Sequence, residues 1–315
     1  MSAIFYLKAT LTAESPLIIG SGTDDNTDSD ILIDADDKPF IPGTTLAGVF
    51  RHYYQNQFGE DATKKIFGYI VPNRSEEQTS AIVTYDAPVT DATPKITTRD
   101  GVKINQDKVA DLESRGKFDY EVIAEGAKFA FKAELTADSE SEARKVFSVI
   151  LGGFASGDLR IGGKSTRGFG QIRVSDIVYR TLMLPRDIRE YIDFKWDSLK
   201  DTFEADSNVN AKPLYTSKMV DFEIPSFIFI RTYVTTAVDE NNDNKAIDAQ
   251  QLYNAGGKPI IPGTTWAGVF RHHCVRILAK VGYPEIDAVI DDMFGYVKEG
   301  KDNKAAVSKI IFPKV

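Results

Sequence analysis

Apolar and polar positions alternate through "AIFYLKATLTA" at 3–13, which predicts a strand, and the same period of two recurs at 80–86, 127–135 and 171–179. Between these segments the spacing changes to that of helices. Leu46, Val49, Phe50 and Tyr53 follow a 3.6-residue period and predict a helix over 44–58, and a second helix covers 139–152. A glycine-rich loop occupies 161–170. The resulting βαββαβ order predicts an α+β, ferredoxin-like (RRM-like) sheet with two helices on one face. Residues 89–120 are too long for an ordinary connection and are expected to project as a hairpin or thumb. A charged helical segment near 186–204, followed by "EADSNVNAKP", reads as a linker.

The pattern then repeats. "KPFIPGTTLAGVFRHYYQ" begins at Lys38 and "KPIIPGTTWAGVFRHHCV" at Lys258, and residues 38–52 and 258–272 differ only at Phe40/Ile260 and Leu46/Trp266. Such identity marks an internal duplication with an offset of 220. Downstream, "IFGYI" at 66–70 is answered by "MFGYV" at 293–297; upstream, "AIFYLKATLTAESPLIIGSG" is echoed by the strand-like "VDFEIPSFIFIRTYVTTAVD". The second copy corresponds to the first only as far as about residue 90. The expected organisation is a first unit at 1–185, a helical linker at 186–217, and the first half of a second unit at 218–315.

Composition narrows the functional class. Of 315 residues, 42% are hydrophobic and 27% charged, without an apolar run of about 18, which predicts a soluble globular protein rather than a membrane-spanning one. The N-terminus lacks a signal-peptide pattern, and the single cysteine, Cys274, excludes an internal disulfide or a cysteine-built zinc site, so a cytoplasmic location is expected. A net charge of −8 argues against coating nucleic acid by bulk electrostatics but permits a local basic groove. The acidic runs at 22–37, 136–144 and 238–248 read as solvated loops.

Two segments carry candidate chemistry. In the repeated peptide, Pro-Gly makes a turn, Thr44 or Thr45 is expected to cap the helix, and Thr44, Gly48, Arg51 and Gln55 share one side. A helix start with a hydroxyl and an arginine two turns on suits a phosphate, and Thr264, Thr265 and Arg271 repeat the arrangement. An ordinary capped amphipathic helix is the other reading of the same residues. The second segment is "GDLRIGGKSTRGFGQIRV" at 157–174. A P-loop would need glycine at position 158, which is Asp158, and would open a helix where "FGQIRV" reads as a strand. The remaining reading is a loop whose Gly162, Gly163 and Gly168 let backbone N–H groups approach a polyanion beside Arg160, Lys164 and Arg167. Histidines are restricted to His52, His272 and His273, and are read as surface or helix-packing residues.

Taken together, "PFIPGTTLAGVFR" and "RIGGKSTRGFGQIRV" resemble the helix start and C-terminal glycine-rich loop of the RAMP superfamily, the repeat-associated proteins of CRISPR systems. The likeness is greatest to the backbone subunits of type III effector complexes, and "RDGVKIN…GKFDYEVIAEGAKFAF" is similar to their thumb and following strand. It spans nearly all of 1–180 and, more thinly, 218–315. The resemblance implies an RNA-binding subunit that holds guide RNA, pairs with complementary target RNA and assembles with other CRISPR effector subunits, without a membrane. In target-cutting members an aspartate before the repeated helix supports cleavage with a divalent metal, Mg or Mn. Matching that pattern onto "DSDILID" places the catalytic and metal-binding acid at Asp28, with Asp30 a neighbour and Asp34 in the later acidic position. The offset of 220 carries Asp28 to Asp248, where copy two has Gln250 for Asp30 and Asn254 for Asp34. Two other functions stay open: a non-catalytic guide-binding subunit, and a metal-independent guide-processing ribonuclease using His52.

Overall fold

The computed structural model describes residues 2–22, 27–71, 77–102, 117–206, 209, 211–232, 250–298 and 304–313. Strand β1 (Ser2–Ala13) is followed by β2 (Phe40–Ile41), α1 (Gly43–Phe58), α2 (Glu60–Phe67), β3 (Tyr69–Ile70), β4 (Glu77–Gln78), β5 (Ile82–Thr84) and β6 (Ala87–Pro88). A hairpin of β7 (Ile96–Val102) and β8 (Lys117–Ile123) precedes β9 (Lys128–Ala137), α3 (Glu140–Ser156) and β10 (Ile172–Leu184). Next come α4 (Ile188–Ile192) and β11 (Asp201–Thr202). The second copy contributes β12 (Arg231–Thr232), β13 (Gln250–Gln251), α5 (Gly263–Lys280), α6 (Ile286–Phe294), β14 (Tyr296–Lys298) and β15 (Lys304–Ala306).

The main sheet has the order β11-β10-β1-β9-β5, and its pairs are antiparallel. Apart from the β11 edge this is the ferredoxin-like order the βαββαβ pattern predicts. β1 is hydrogen-bonded on both edges, to β9 from Ala3↔Ala137 to Thr12↔Lys128 and to β10 from Ser2↔Leu184 to Ala13↔Ile172. Its alternate residues Phe5, Leu7, Ala9, Leu11 and Ala13 are buried in one core with Leu46 and Phe50 of α1 and Val146, Phe147, Ile150 and Phe154 of α3. The Phe50 ring stands edge-on to Phe131 of β9 at 5.8 Å and to Phe154 at 5.9 Å. The Ser139 hydroxyl caps α3, accepting the Glu142 N–H at 3.2 Å, and left-handed Gly157 ends it.

The segment at 186–204 differs from the helix expected there. Five residues form an α-helix and Trp196–Ser198 a single 3-10 turn, and the chain crosses the opposite face of the sheet. Phe194 stacks on Tyr6 at 3.8 Å, Trp196 meets Tyr6 edge-on at 5.5 Å, and Lys8 pairs with Asp197 at 3.0 Å. Burying two aromatic rings against the sheet outweighs the small propensity gain of an exposed helix.

The repeat recurs in three dimensions around its helix pair. The Arg51 guanidinium donates to the carbonyls of Phe67 (3.1 Å) and Gly68 (2.8 Å) at the end of α2; Arg271 donates to Gly295 (3.2 Å) and pairs with Asp291 of α6 (3.3 Å). Gly68 (φ 69°) and Gly295 (φ 73°) pass so close to backbone that an added Cβ would lie 2.3 Å from the Gln78 oxygen and 2.4 Å from that of Ala306. The Ser80 hydroxyl bridges the carbonyls of Ile66 and Ile82 as that of Ser308 bridges Met293 and Ile310.

The strand expected at 220–239 is where the copies part. Its described portion pairs only over β12, through Arg231↔Gln251 and Thr232↔Gln250, and residues 221–229 are exposed and without regular secondary structure. β1 owes its ladder to β9 and β10, and among the described residues the second copy has no strands in those places. Among the described residues no helix is long and apolar enough to cross a membrane.

The two equivalent phenylalanines therefore have different energetic weight. Phe50→Ala is expected to lower unfolding free energy by about 3–5 kcal/mol. Phe270→Ala, at a residue 40% exposed, should cost about 1 kcal/mol. Urea denaturation of both variants checks the contrast.

Candidate nucleic-acid interface

The period-two pattern of "KFDYEVI" gives β8 two chemically different sides. Phe118, Tyr120 and Val122 gather with Ile18 and Phe169 in a small apolar cluster under the glycine loop. Asp119 and Glu121 turn to the acidic loop. One strand thus stands between the two segments that carry the candidate chemistry.

On the first side the glycine loop is held by backbone hydrogen bonds. Ile161 donates to Gly170 (2.9 Å), Gly163 to Ile18 (2.8 Å), Gly168 to Ser165 (3.3 Å) and Gly170 to Pro16 (3.0 Å). Gly162 adopts φ 85°, and a Cβ there would fall 2.3 Å from the Ile18 oxygen. These glycines serve close packing of backbone on backbone, and the amides of Gly163 and Gly168, expected to face a polyanion, donate within the protein instead. What the loop offers is its side chains. Lys164, in the left-handed region at φ 56°, places its ammonium 3.2 Å from the centre of the Tyr120 ring and 4.9 Å from that of Phe118. Burial pushes the Lys164 ammonium down to about 8, with the charge of Arg167 adding to the shift. The negative face of the Tyr120 ring acts in the opposite direction.

The other cations are placed unequally. Burial lowers Arg167, and the nearby charge of Arg271 lowers it further, so the first unit's loop and the second unit's helix form one basic seam. The loop is seated under α5: Phe312 donates to the Thr166 carbonyl at 3.0 Å, and a Cβ on Gly263 would lie 2.4 Å from the Arg167 oxygen. Arg160 instead turns back to the end of α3, its Nε donating to Gly157 at 3.1 Å. Arg99, opposite Tyr120 in the hairpin register, holds its guanidinium 5.5 Å from the Phe169 ring, and burial lowers it. Arg99, Phe118 and Tyr120 were not singled out in the sequence; the alternation of 118–122 was the signal that marks the aromatics.

The repeated helix start is also different in detail. Pro42 and Pro262 occupy the cap positions without a side-chain cap bond, so neither Thr44 nor Thr45 caps α1. The Gly43 amide is taken by the Asp86 carboxylate at 2.7 Å. Thr44 is exposed, Thr45, Thr264 and Thr265 are half-buried, and Arg51 and Arg271 are committed to the carbonyls of their own helix pairs. Proximity in the helix period did not reveal those carbonyl partners because they lie beyond the following helix. His52 is exposed on α1, and His273 contacts Arg276 at 3.1 Å through Nδ1.

On the second side of β8 the acidic loop is tied down. Asp28 donates its N–H to the Asp119 carboxylate and accepts the Asp119 N–H on its own Oδ2, both at 3.0 Å. Glu121 donates to the Ser29 carbonyl at 3.0 Å and accepts the Ile31 N–H at 3.1 Å. Asp28 remains exposed; Asp30 is buried and accepts both the N–H and the hydroxyl of Thr27 at 2.8 Å. Asp34 organises a turn, its Oδ1 accepting the amides of Asp36 and Lys38, and Asn254 does the same for Lys258 at 2.9 Å. The Asp34/Asn254 difference is thus a conserved turn geometry, since either side chain supplies the accepting oxygen. Asp248 lies outside the described residues.

Among the described residues no group of three or more His, Cys, Asp or Glu side chains converges as a metal cluster. Asp28 and Asp119 offer two neighbouring carboxylates, a donor set that fits Mg only when phosphate oxygens or water complete the shell.

No curated protein matches the chain. Among solved structures, a chain of a type III-B Cmr-β complex bound to cognate target RNA is similar, at 19% identity and a TM-score of 0.43, over 56% of this chain; the match spans 60% of that chain's length. The RAMP superfamily model matches residues 10–173 and 221–312, more than half of the sequence and both copies of the repeat, and the chain belongs to the RAMP superfamily.

Proposed function

We propose that this chain is an RNA-binding subunit of a type III-like CRISPR ribonucleoprotein, holding guide RNA and cleaving complementary target RNA beside Asp28. The observation that carries the reading is β8, which sets the cation of Lys164 against one side and the exposed carboxylate of Asp28 against the other. Lys164, Arg167 and the aromatic faces of Phe118 and Tyr120 suit a phosphate backbone and its bases. Base pairing, rather than these side chains, would supply sequence specificity. Membership of the RAMP superfamily supports the same reading.

Cleavage is attack of a ribose 2′-oxygen on the adjacent phosphorus with departure of the 5′-oxygen. In this reading the 2′-hydroxyl gives its proton to Asp28, or Asp28 instead holds an ion and water takes the proton, and the departing 5′-oxygen picks up a proton from water. A divalent ion held by Asp28 and Asp119 together with RNA phosphate would stabilise charge on that phosphate. The competing reading is a guide-binding subunit without chemistry, favoured by the bond of Asp28 to the Asp119 amide, which gives this carboxylate a purely structural task.

Asp28→Asn keeps an oxygen for the Asp119 amide and removes the charge. It is expected to retain guide and target binding within about twofold while slowing target cleavage by about 100-fold or more, as read by gel assay of the assembled complex with and without EDTA. Unchanged cleavage assigns the structural role; cleavage that ignores EDTA and is lost in His52→Ala assigns the metal-independent ribonuclease.

The Lys164 contact carries a pH signature. Its folded value of about 8 against an ordinary 10.5 means the folded chain binds fewer protons between those values, so stability rises with pH across that window relative to Lys164→Met. RNA affinity moves the other way, because phosphate needs the ammonium: it should fall above pH 8, by at most about tenfold per unit. In Lys164→Arg it should stay flat from about pH 7 to 9.5, since arginine keeps its charge. Fluorescence anisotropy with a short RNA measures both.

Arg51→Met separates a structural arginine from a binding one. Loss of its bonds to Phe67 and Gly68 should lower unfolding free energy by about 1–3 kcal/mol. The slope of log affinity against log salt should stay unchanged, whereas Arg167→Gln should reduce it by about one.

A further inference from the structure

One side of the repeated helix is covered in the second copy and bare in the first. Residues 42–44, 47 and 48 are identical to 262–264, 267 and 268, and with Arg51 and Arg271 they line one side of α1 and of α5 at helical intervals. Elsewhere the second copy is the less buried, Phe270 being 40% exposed where Phe50 is 0%, but on this side the order reverses. Ala267 and Pro262 are buried where Ala47 and Pro42 are half-buried, and Thr264 and Gly268 are half-buried where Thr44 and Gly48 are exposed. The peptides match, so the difference comes from a neighbour. That neighbour is the first unit's glycine loop: the Phe312 amide donates to the Thr166 carbonyl at 3.0 Å, a Cβ on Gly263 would strike the Arg167 oxygen, and Arg167 stands close enough to Arg271 to feel its charge. On α1 the three atoms nearest a Cβ on Gly43 all belong to Thr84 and Tyr85 of its own unit.

The seam inside the chain thus shows what fits the bare side. We propose that the side of α1 running from Pro42 to Arg51 is the docking site for the basic, glycine-rich loop of a further RAMP-type unit from outside residues 1–315, seated as 165–168 are seated on α5. The same loop in a second copy is already occupied by that copy's α5, which leaves a different unit as the donor. Charge favours a basic visitor. The exposed Asp86 carboxylate holds the Gly43 amide at 2.7 Å, at a position where the register of Ser80 with Ser308, an offset of 228, gives Lys314. The first copy's seat therefore carries a carboxylate that the second copy's sequence replaces with an amine. Small residues at 43, 47 and 48 let a loop backbone come close to the helix, as Gly263 does for the carbonyl of Arg167. The inference gives the subunit reading a partner and rests on the duplication, not on RNA contacts.

The test places a benzophenone-bearing phenylalanine at position 44 or, separately, at 264 in the full chain purified with its native partners, and identifies the linked peptides by mass spectrometry after irradiation. The expected result is that 264 links to residues 165–168 of the same chain and 44 to the glycine-rich basic loop of another RAMP-type unit. A Cβ on Gly48 meets no atom within 4 Å, so Gly48→Trp should fold with an unchanged urea midpoint while lowering retention of the chain in the assembly by about tenfold. Asp86→Asn keeps an oxygen for the Gly43 amide and should lower retention by about threefold, an effect that shrinks as salt is raised. A link from 44 to RNA, to any residue of 1–315 or to a protein segment without such a loop overturns the proposal, as does wild-type retention of Gly48→Trp or a 44 probe that stays unlinked while 264 links. Formation of the 44 link by a chain that fails to bind RNA supports the proposal and overturns the RNA reading alone.

Discussion

Hydrogen bonding of β1 along both edges is the constraint on which the first unit depends. Enclosed by β9 and β10, the strand presents Phe5, Leu7, Ala9, Leu11 and Ala13 to α1 and α3, and the opposite side, through Tyr6, receives Phe194 and Trp196. Without flanking strands its amides and carbonyls would need water, and the apolar face would have nothing to close on. The second copy shows that condition directly: Val220, Phe222 and Ile224 keep the alternation, yet the segment is exposed and forms no strand among the described residues. A period of two specifies which side of a strand is apolar; it does not supply the neighbours that make a strand.

A second dependence runs through β8. Its apolar side fills the space beneath the glycine loop, and its polar side, through Asp119 and Glu121, fastens the acidic loop. The base of the hairpin therefore fixes the relative position of Lys164 and Asp28, two residues separated by more than a hundred positions in sequence. The loop's own rigidity comes from the close backbone approach that Gly162 and Gly170 permit, where added Cβ atoms would lie 2.3 Å and 2.1 Å from carbonyl oxygens. Contact of Thr166 and Arg167 with the start and tail of the second copy joins the two units at this same place, so the basic seam belongs to both.

The arginines of the repeated peptide have a structural task that their sequence did not reveal. Repetition of Arg51 and Arg271 suggested a reused phosphate seat, whereas each fastens the end of the following helix in its own copy. Repetition preserved a folding module of two helices and a tight glycine turn. The same holds for Asp34 and Asn254, whose chemical difference disappears once both are seen accepting an amide across a turn.

From the order of its residues alone this chain determined the βαββαβ succession, an excursion at 89–120 and the duplication, because these follow from periods of 2 and 3.6, from connection length and from near-identical peptides. The candidate aspartate and the basic glycine loop were legible as segments too, through their resemblance to the RAMP superfamily. Tertiary structure alone decided which groups remain available for chemistry: that Gly163 and Gly168 spend their amides internally, that Arg51 and Arg160 bind carbonyls, that Lys164 rests on Tyr120, and that Asp28 is held by Asp119. The physical reason is that a hydrogen bond or a desolvated charge is set by partners distant in sequence, whereas local periodicity records only which side of an element avoids water.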